Sequence, residues 1–222
     1  MAAHSDAHAE ICNSDAEIIK RSLVRWLLAG GLGFQKSQDA IGNEVLFSCN
    51  WRRADLLVLS DEFHAIEIKS DADSLSRLAE QLADYHRVFD KVSVVTTSRQ
   101  LCGVQRSTAK KTGIIVLDAD QPRVARQAHT ARRLDKLELS RFLDMATLRR
   151  LLGRGTRGIS TDELRHRVAD RLSIREIRRV AYDALRERYR KLFDLFLNDV
   201  GERQFGEDEL RGLCGSVETI AL

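Results

Sequence analysis

Hydrophobic residues near the start of the chain recur with the period of a helix. Ile19, Leu23 and Leu27 lie four positions apart and predict a helix over residues 15–29. The segment 14–17, Ser-Asp-Ala-Glu, has the form of a capping box, in which serine and glutamate satisfy backbone donors at a helix start. Glycines follow this helix, and glycine favours the left-handed conformation found at helix C-termini.

Short apolar runs further along the chain predict strands. Five such runs are present: 44–48, 53–59, 63–69, 92–96 and 114–117. Three residues separate the second run from the third, which predicts an antiparallel hairpin, whereas a basic helical stretch joins the last two and predicts a parallel pair. Leucines at helical spacing predict another helix over residues 73–89. The pattern therefore predicts an α/β fold with an αβββαβ core and a mixed central sheet.

The second half of the chain has helical spacing throughout and a basic charge. Segments 160–163 and 173–176 are further capping boxes that predict helix starts. Between Arg123 and Lys191 there are 20 Arg or Lys against 9 Asp or Glu, a local balance of +11 in a chain of net charge +3. Pro122 stands where this change begins, and proline interrupts regular structure.

These observations divide the chain near residue 122. We expect a core domain over residues 1–122 and a basic helical region over residues 123–222. The apolar runs are shorter than the roughly 18 residues needed to cross a bilayer, and we see no secretory signal, so we expect a cytoplasmic protein without membrane contact. The cysteines lack paired spacing, and we interpret them as reduced and structural: Cys12, Cys49, Cys102 and Cys214.

Charged residues interrupt two of the apolar strands. Asp55 lies on the second predicted strand, and Glu67 and Lys69 lie on the third. Side chains alternate across a strand, so Glu67 and Lys69 share a face, and the hairpin brings Asp55 opposite them. Metal-dependent phosphodiester hydrolysis needs oxygen ligands and a cation near the developing negative charge. These three residues are therefore candidates for such a site.

A simpler interpretation is a surface hairpin whose charged side chains face water, which is their usual position. The two strands are otherwise apolar on both faces, as strands covered by helices are. Charged groups in that setting need a partner or a metal ion. Because short motifs arise by chance, the spacing alone leaves both interpretations open.

Additional residues give this region a resemblance to a known superfamily. The residues that carry it are the triplet 53–55 (Arg-Ala-Asp), the triplet 67–69 (Glu-Ile-Lys), Gln81 and Tyr85. They resemble the core of the PD-(D/E)XK, or restriction endonuclease-like, nucleases, and the first helix with Glu17 also matches. The resemblance covers residues 14–118. The segment 67–75 is similar to a family of bacterial proteins assigned to that superfamily.

The resemblance implies a metal-dependent nuclease that hydrolyses phosphodiester bonds, with DNA favoured over RNA. Asp55 and Glu67 would bind Mg²⁺, which Mn²⁺ can replace, and the backbone carbonyl of Ile68 would be a third ligand. Lys69 would orient or help deprotonate the attacking water and stabilise the charged transition state. The third acid stays open between Glu17, which also fits a capping role, and Glu44 at the start of the first strand.

Gln81 and Tyr85 match the Q-x-x-x-Y helix motif of RecB-like members, where these residues support the site and contact nucleic acid. Tyr85 also lies on an apolar stripe with Leu78 and Leu82, so simple packing of its ring is an equally good interpretation. Asp73 follows the motif and is expected to cap the next helix, because Asp is favoured at that position.

The basic region is suited to a polyanion, because arginines that contact phosphates supply much of nucleic-acid affinity. The candidates are Arg149, Arg150, Arg154, Arg157, Arg165, Arg167, Arg171, Arg178 and Arg179. Residues 148–172 distantly resemble small helix-extension-helix DNA-binding modules. The alternative is a solvated helical bundle with internal salt bridges.

Two other functions are also compatible with the sequence. One is a nuclease-like fold without catalysis that binds DNA or protein. The other is a toxin or defence component whose helical region binds a protein partner. A homodimer is compatible with all three functions.

Overall fold

The computed structural model describes residues 3–47, 52–118, 121–131, 133–201 and 205–215, and of residues 3–14 it describes the backbone alone. The elements, in chain order, are α1 (Ala3–Leu28), a 3-10 helix (Gly31–Gly33), β1 (Ala40–Phe47), β2 (Arg52–Leu59), β3 (Phe63–Lys69), α2 (Leu78–Val88), β4 (Lys91–Thr97), α3 (Leu101–Ser107), β5 (Gly113–Asp118), β6 (Gln121–Arg126), α4 (Lys136–Ser140), α5 (Met145–Leu152), α6 (Thr161–Arg171), α7 (Ile174–Val200) and α8 (Glu207–Arg211).

The strands form one six-stranded mixed sheet in the order β1-β2-β3-β4-β5-β6. The pairs β1–β2, β2–β3 and β5–β6 are antiparallel, whereas β3–β4 and β4–β5 are parallel. This confirms the predicted α/β class, the mixed sheet, the hairpin and the parallel pair. Helices after the sheet confirm the helical C-terminal region.

Helices α2 and α7 cover the same face of the sheet. Tyr182 of α7 stacks on Phe63 of β3 with ring centroids 3.7 Å apart. Tyr85 of α2 meets Phe47 edge to face at 5.0 Å, and its hydroxyl reaches Glu67 of β3. Phe63 and Glu67 are four positions apart on one strand and therefore share a face. Burial of these aromatic rings contributes strongly to the core.

A buried ion pair also joins α7 to the sheet. Asp90, which follows α2, accepts a hydrogen bond from the Phe63 backbone N–H at 2.9 Å. The guanidinium of Arg178 donates to both carboxylate oxygens of Asp90, at 3.0 and 2.7 Å. Asp90 is 4% exposed, so these donors satisfy a carboxylate that burial would otherwise destabilise. The pair fixes α7 against the start of β3.

Two predicted helix starts are wrong. Helix α1 begins at Ala3 and runs through residues 14–17, so the capping box proposed there does not start a helix. Helix α2 begins at Leu78 rather than residue 73. Asp73 instead accepts hydrogen bonds from the backbone N–H and hydroxyl of Ser70, both at 2.7 Å. This local side-chain bonding holds a turn and competes with helix formation.

The prediction of helix from residue 123 onward is also wrong at its start. Residues Gln121–Arg126 form β6, an edge strand that pairs with β5. Pro122 fits there, because proline lacks a backbone donor and is tolerated on sheet edges. The predicted boundary near residue 122 thus falls within a strand, and the first helix after it begins at Lys136. Among the described residues, no helix is long and apolar enough to span a membrane.

Candidate active site

Strands β2 and β3 part where the candidate residues lie. Their pairing runs from Leu59 with Phe63 to Leu56 with Ile66. One residue beyond it, Asp55 Oδ2 accepts a hydrogen bond of 2.6 Å from the backbone N–H of Ile68. A side-chain oxygen thus replaces the backbone acceptor that a continuing ladder would supply.

The backbone of Ile68 faces this gap. The N–H and C=O groups of one strand residue point to the same side of the strand, as shown by antiparallel partners that exchange both hydrogen bonds. Because the Ile68 N–H reaches Asp55 on β2, its carbonyl also faces β2. Asp55 and the Ile68 carbonyl therefore border the same gap, as the sequence-based site requires.

Glu67 is buried and has two side-chain partners. It is 4% exposed, and its Oε1 lies 2.7 Å from Lys69 Nζ. Its Oε2 lies 2.5 Å from the hydroxyl of Tyr85, which is also 2.7 Å from the carbonyl oxygen of Arg53. Burial and the charge of Glu67 raise the pKa of Tyr85, so the phenol keeps its proton and remains a donor. Tyr85 therefore links β2, β3 and α2.

Asp55 has an unusually high proton affinity for a carboxylate. Burial, followed by the charge of Glu67, raises its pKa to about 8, and the hydrogen bond from Ile68 opposes the rise. Glu44 adds to the rise and Lys20 reduces it. The ionised form of Asp55 is therefore disfavoured mainly by its burial, and strongly perturbed carboxylates of this kind are common in functional sites.

A second group of charged residues adjoins Asp55. Lys20 Nζ lies 2.7 Å from Glu44 Oε1 and 3.2 Å from Glu17 Oε1. Burial acts to lower the pKa of Lys20, but the hydrogen bond to Glu44 and the nearby carboxylates, Asp55 among them, outweigh it and the pKa is raised. Arg53 Nε is 3.5 Å from Glu44 Oε2. Glu17 and Glu44, the two candidates for the third acid, thus share one lysine.

The backbone of Glu44 is strained. Its φ is +52°, in the left-handed region that residues with a Cβ seldom occupy. It lies between Asn43, paired with Leu56, and Val45, paired with Ala54, so the register places it opposite Asp55. Such conformations persist where surrounding contacts hold them, and they cluster at functional sites.

The structure brings together most of the residues that the sequence suggested. Glu67, Lys69 and Tyr85 are in direct contact, and Asp55 adjoins them. Gln81 lies one turn before Tyr85 and is half-buried. Its backbone N–H donates to the carbonyl of Arg77, and its side-chain amide makes no hydrogen bond to the described part of the chain. Lys20 was not predicted as a site residue. Its position was nevertheless a signal, because it shares the apolar stripe of α1 with Leu23 and Leu27.

The donor set suits a hard divalent cation. Carboxylates and a backbone carbonyl are the oxygen ligands that Mg²⁺ takes. Burial first and the charge of Glu67 second raise the pKa of Asp55, so a cation bound there would stabilise its ionised form. Asp55, Glu67 and the Ile68 carbonyl are the residues that would hold such an ion. In this conformation, however, no three His, Cys, Asp or Glu side chains among the described residues form a metal-ligand group. Lys69 and Lys20 contact the acids instead.

The loop after Lys69 is held by side-chain hydrogen bonds. The side-chain amide of Gln100 donates to the carbonyls of Ser70, Asp71 and Asp73, at 3.1 to 3.4 Å. With the Asp73 contacts to Ser70, this network fixes the end of β3. Asp73 thus has a structural role, although not the helix cap that its sequence position predicted.

The nine arginines of the basic region fall into two groups. Three have acidic partners: Arg165 with Asp162, Arg167 with Glu163 and Arg178 with Asp90. Six are exposed and form no ion pair with another described residue: Arg149, Arg150, Arg154, Arg157, Arg171 and Arg179. The salt-bridge interpretation therefore holds for part of this surface, and the six unpaired cations remain available to an anionic partner.

The fold and the site define an α/β protein with a mixed sheet and an acid-lysine cluster at the point where two strands part. Residues 13–214 match the model of a family described as Bacteriophage P4 protein cII, and the chain belongs to that family. Protein cII of Enterobacteria phage P4 is 30% identical over 190 residues, covering 81% of this chain and 70% of the relative.

A solved structure is also similar to part of the chain. It is the SPO1766 protein of unknown function from Silicibacter pomeroyi, with 19% identity and a TM-score of 0.40. The match covers 52% of this chain and 72% of that protein. None of these descriptions states a reaction or a ligand.

The raised pKa of Asp55 predicts a dependence of stability on pH in metal-free buffer. The folded protein holds a proton that the unfolded chain, with an ordinary pKa of 3.8, releases. The contribution of Asp55 to stability should therefore fall as pH rises from about 4 to about 8 and level off above that. Asp55→Asn keeps an acceptor for Ile68 without the charge, so it should stabilise the protein at about pH 8.5 by at least ~1 kcal/mol more than at about pH 5.

Urea unfolding with a chelator at the two pH values measures this difference. Asp170→Asn, at an exposed position of α6, is the matched control and should shift stability equally at both. An Asp55→Asn effect that is the same at both pH values would show that Asp55 does not hold the extra proton.

Proposed function

We propose that the protein is a divalent-cation-dependent nuclease that hydrolyses phosphodiester bonds in nucleic acid, with DNA favoured by the resemblance to PD-(D/E)XK nucleases. The observation that carries the proposal is the buried contact of Glu67 with Lys69 beside Asp55, where β2 and β3 part. Buried charges are costly, and a fold retains them where they are paired or perform chemistry.

The acids and the lysine have distinct roles in this proposal. Asp55 and Glu67 bind Mg²⁺, and the Ile68 carbonyl, which faces the same gap, is a third donor. When bound, the ion polarises the phosphate and lowers the pKa of a water molecule. Lys69, held 2.7 Å from Glu67 Oε1, places a compact positive charge where the phosphate oxygens become more negative during attack.

Tyr85 acts as a positioning residue. Its ring packs against Phe47 and Phe89, which fixes its direction, and its hydroxyl contacts Glu67 and the backbone of Arg53. The packing and functional interpretations of Tyr85 are therefore compatible. Gln81 lies one turn before Tyr85, and its side-chain amide has no hydrogen-bond partner among the described residues. It would contact nucleic acid, the role that the RecB-like motif implies.

The unpaired arginines supply affinity for the substrate in this proposal. Arg154 and Arg157 lie in the loop between α5 and α6, and Arg149 and Arg150 lie in the last turn of α5. All four are exposed. Contacts between guanidinium groups and phosphates carry no sequence information, so through such contacts this surface would orient a nucleic acid rather than select a site on it.

A second candidate function is a nuclease-like module that binds nucleic acid or protein without cleaving it. One observation favours it: both oxygens of Glu67 already have partners, and the described residues contain no preformed three-ligand metal group. Cleavage assays separate the two functions. A protein that binds DNA but cleaves neither DNA nor RNA with Mg²⁺ or Mn²⁺ would be such a module.

Lys69 is the residue whose replacement tests catalysis most directly. Lys69→Ala should leave DNA binding largely intact and lower the cleavage rate by roughly 100-fold or more, the effect of removing one preorganised donor. Lys69→Arg should restore little activity, because a planar guanidinium does not replace a compact ammonium. Single-turnover cleavage at saturating enzyme and Mg²⁺ measures these rates.

Lys110→Ala, which removes an exposed lysine, is the control and should cleave like the parent. Equal single-turnover rates for the parent and Lys69→Ala would remove Lys69 from the mechanism.

The basic surface predicts a salt dependence that distinguishes unpaired from paired arginines. Replacing Arg154 and Arg157 together by Gln should lower the slope of log affinity against log salt by up to about 1.8 on duplex DNA, because each phosphate that an arginine neutralises adds roughly 0.9 to that slope. The matched double variant Arg165→Gln/Arg167→Gln removes the same charge from residues that already have acidic partners, and its slope should change less.

Fluorescence anisotropy over a salt series measures both slopes. If the two double variants change the slope equally, pairing does not decide which arginines contact DNA. If neither changes it, this surface does not bind DNA.

A further inference from the structure

Lys20 is an unusual residue for the apolar face of a helix. It is 5% exposed and shares that face of α1 with Leu23, Val24 and Leu27. A buried ammonium is stable only with close partners of opposite charge, which Lys20 has in Glu44 and Glu17. Its contacts are therefore required by its burial and are not an incidental surface pair.

The same contacts occupy carboxylate oxygens of both Glu44 and Glu17. Glu44 Oε1 binds Lys20, and Glu44 Oε2 faces Arg53 at 3.5 Å. Glu17 Oε1 is 3.2 Å from the same ammonium. Glu44 also has a left-handed backbone opposite Asp55, a conformation that needs such contacts to persist. Lys20 thus holds both candidate third acids beside Asp55 while occupying the space between them.

We propose that Lys20 is a positioning residue that limits the site to one divalent cation, because its ammonium takes the place that a second cation would occupy between Glu17 and Glu44. The proposal rests on the nuclease function, in which Asp55 and Glu67 bind the first cation. Nucleases that use two metal ions hold them about 4 Å apart with shared carboxylates. Here a tethered positive charge is bound to Glu17 and Glu44, beside Asp55, and repels a second free ion.

Lys20→Met removes the charge and keeps a side chain of similar length. Calorimetric titration with Mn²⁺ should find one ion bound to the parent and two to Lys20→Met. The added ion should bind at least ~10-fold more tightly than any second ion on the parent, the smallest effect expected from changing a group beside a metal site. Lys20→Arg keeps the charge and should bind one ion. Adding Glu44→Gln to Lys20→Met should abolish the second ion.

Several outcomes would overturn the proposal. Two ions on the parent, or unchanged stoichiometry and affinity in Lys20→Met, show that Lys20 does not limit binding. If Lys20→Met does not fold, as judged by circular dichroism, Glu17→Gln decides instead. It should bind Mn²⁺ within about threefold of the parent, whereas a decrease of about 10-fold or more would show that Glu17 contributes to binding of the first ion and would contradict the proposal.

The titration also separates this proposal from the nuclease function. A parent that binds no Mn²⁺, together with a Lys20→Met variant that binds one, would contradict the site between Asp55 and Glu67 and support the role of Lys20. No binding by either protein would contradict both.

Discussion

Burying the carboxylate of Glu67 on a central strand imposes the arrangement around it. A 4% exposed carboxylate needs donors that replace water, and these are the ammonium of Lys69 and the hydroxyl of Tyr85. The tyrosine can supply its hydroxyl only if α2 packs at the correct height over the sheet, which the ring contacts with Phe47 and Phe89 ensure. One buried charge thus couples the register of β3 to the position of α2.

Strand β3 also connects the candidate site to the basic region. Its first residue, Phe63, stacks on Tyr182 of α7 and donates its N–H to Asp90, which in turn binds Arg178 of α7. Its last residues, Glu67 and Lys69, form the site. Because both ends belong to one short strand, the long helix α7 has a defined position relative to the acids. The part of the basic region that α7 carries is therefore fixed relative to the site.

The sequence predicted the sheet well because its strands are short, apolar and separated by clear turns. The hairpin of β2 and β3 and the parallel pair β4–β5 follow from loop length and composition alone. Strand β6 was missed because Val124 is its only large apolar residue, and its glutamine, proline and arginines are typical of a loop. The capping motif at 14–17 is an accidental match inside a longer helix.

The candidate site was predictable as a set of residue types on paired strands, but its charge balance was not. No sequence pattern states that Glu17 and Glu44, 27 positions apart, share one buried lysine, because that contact depends on how α1 lies against the sheet and on the left-handed backbone of Glu44. Likewise, the Asp55 hydrogen bond to Ile68 depends on where the β2–β3 ladder ends. Local patterns report periodicity, whereas these contacts are set by tertiary packing.

The central claim is that Asp55 and Glu67 together bind a divalent cation. Calorimetric titration with Mn²⁺ of Asp55→Asn and Glu67→Gln, beside Glu163→Gln as an exposed control on α6, tests it most directly. The affinity of each site variant should fall by at least roughly 10- to 100-fold, the cost of changing even an outer-shell partner of a metal ligand, and the control should bind like the parent. Binding of Mn²⁺ by both site variants with the affinity of the parent would contradict it.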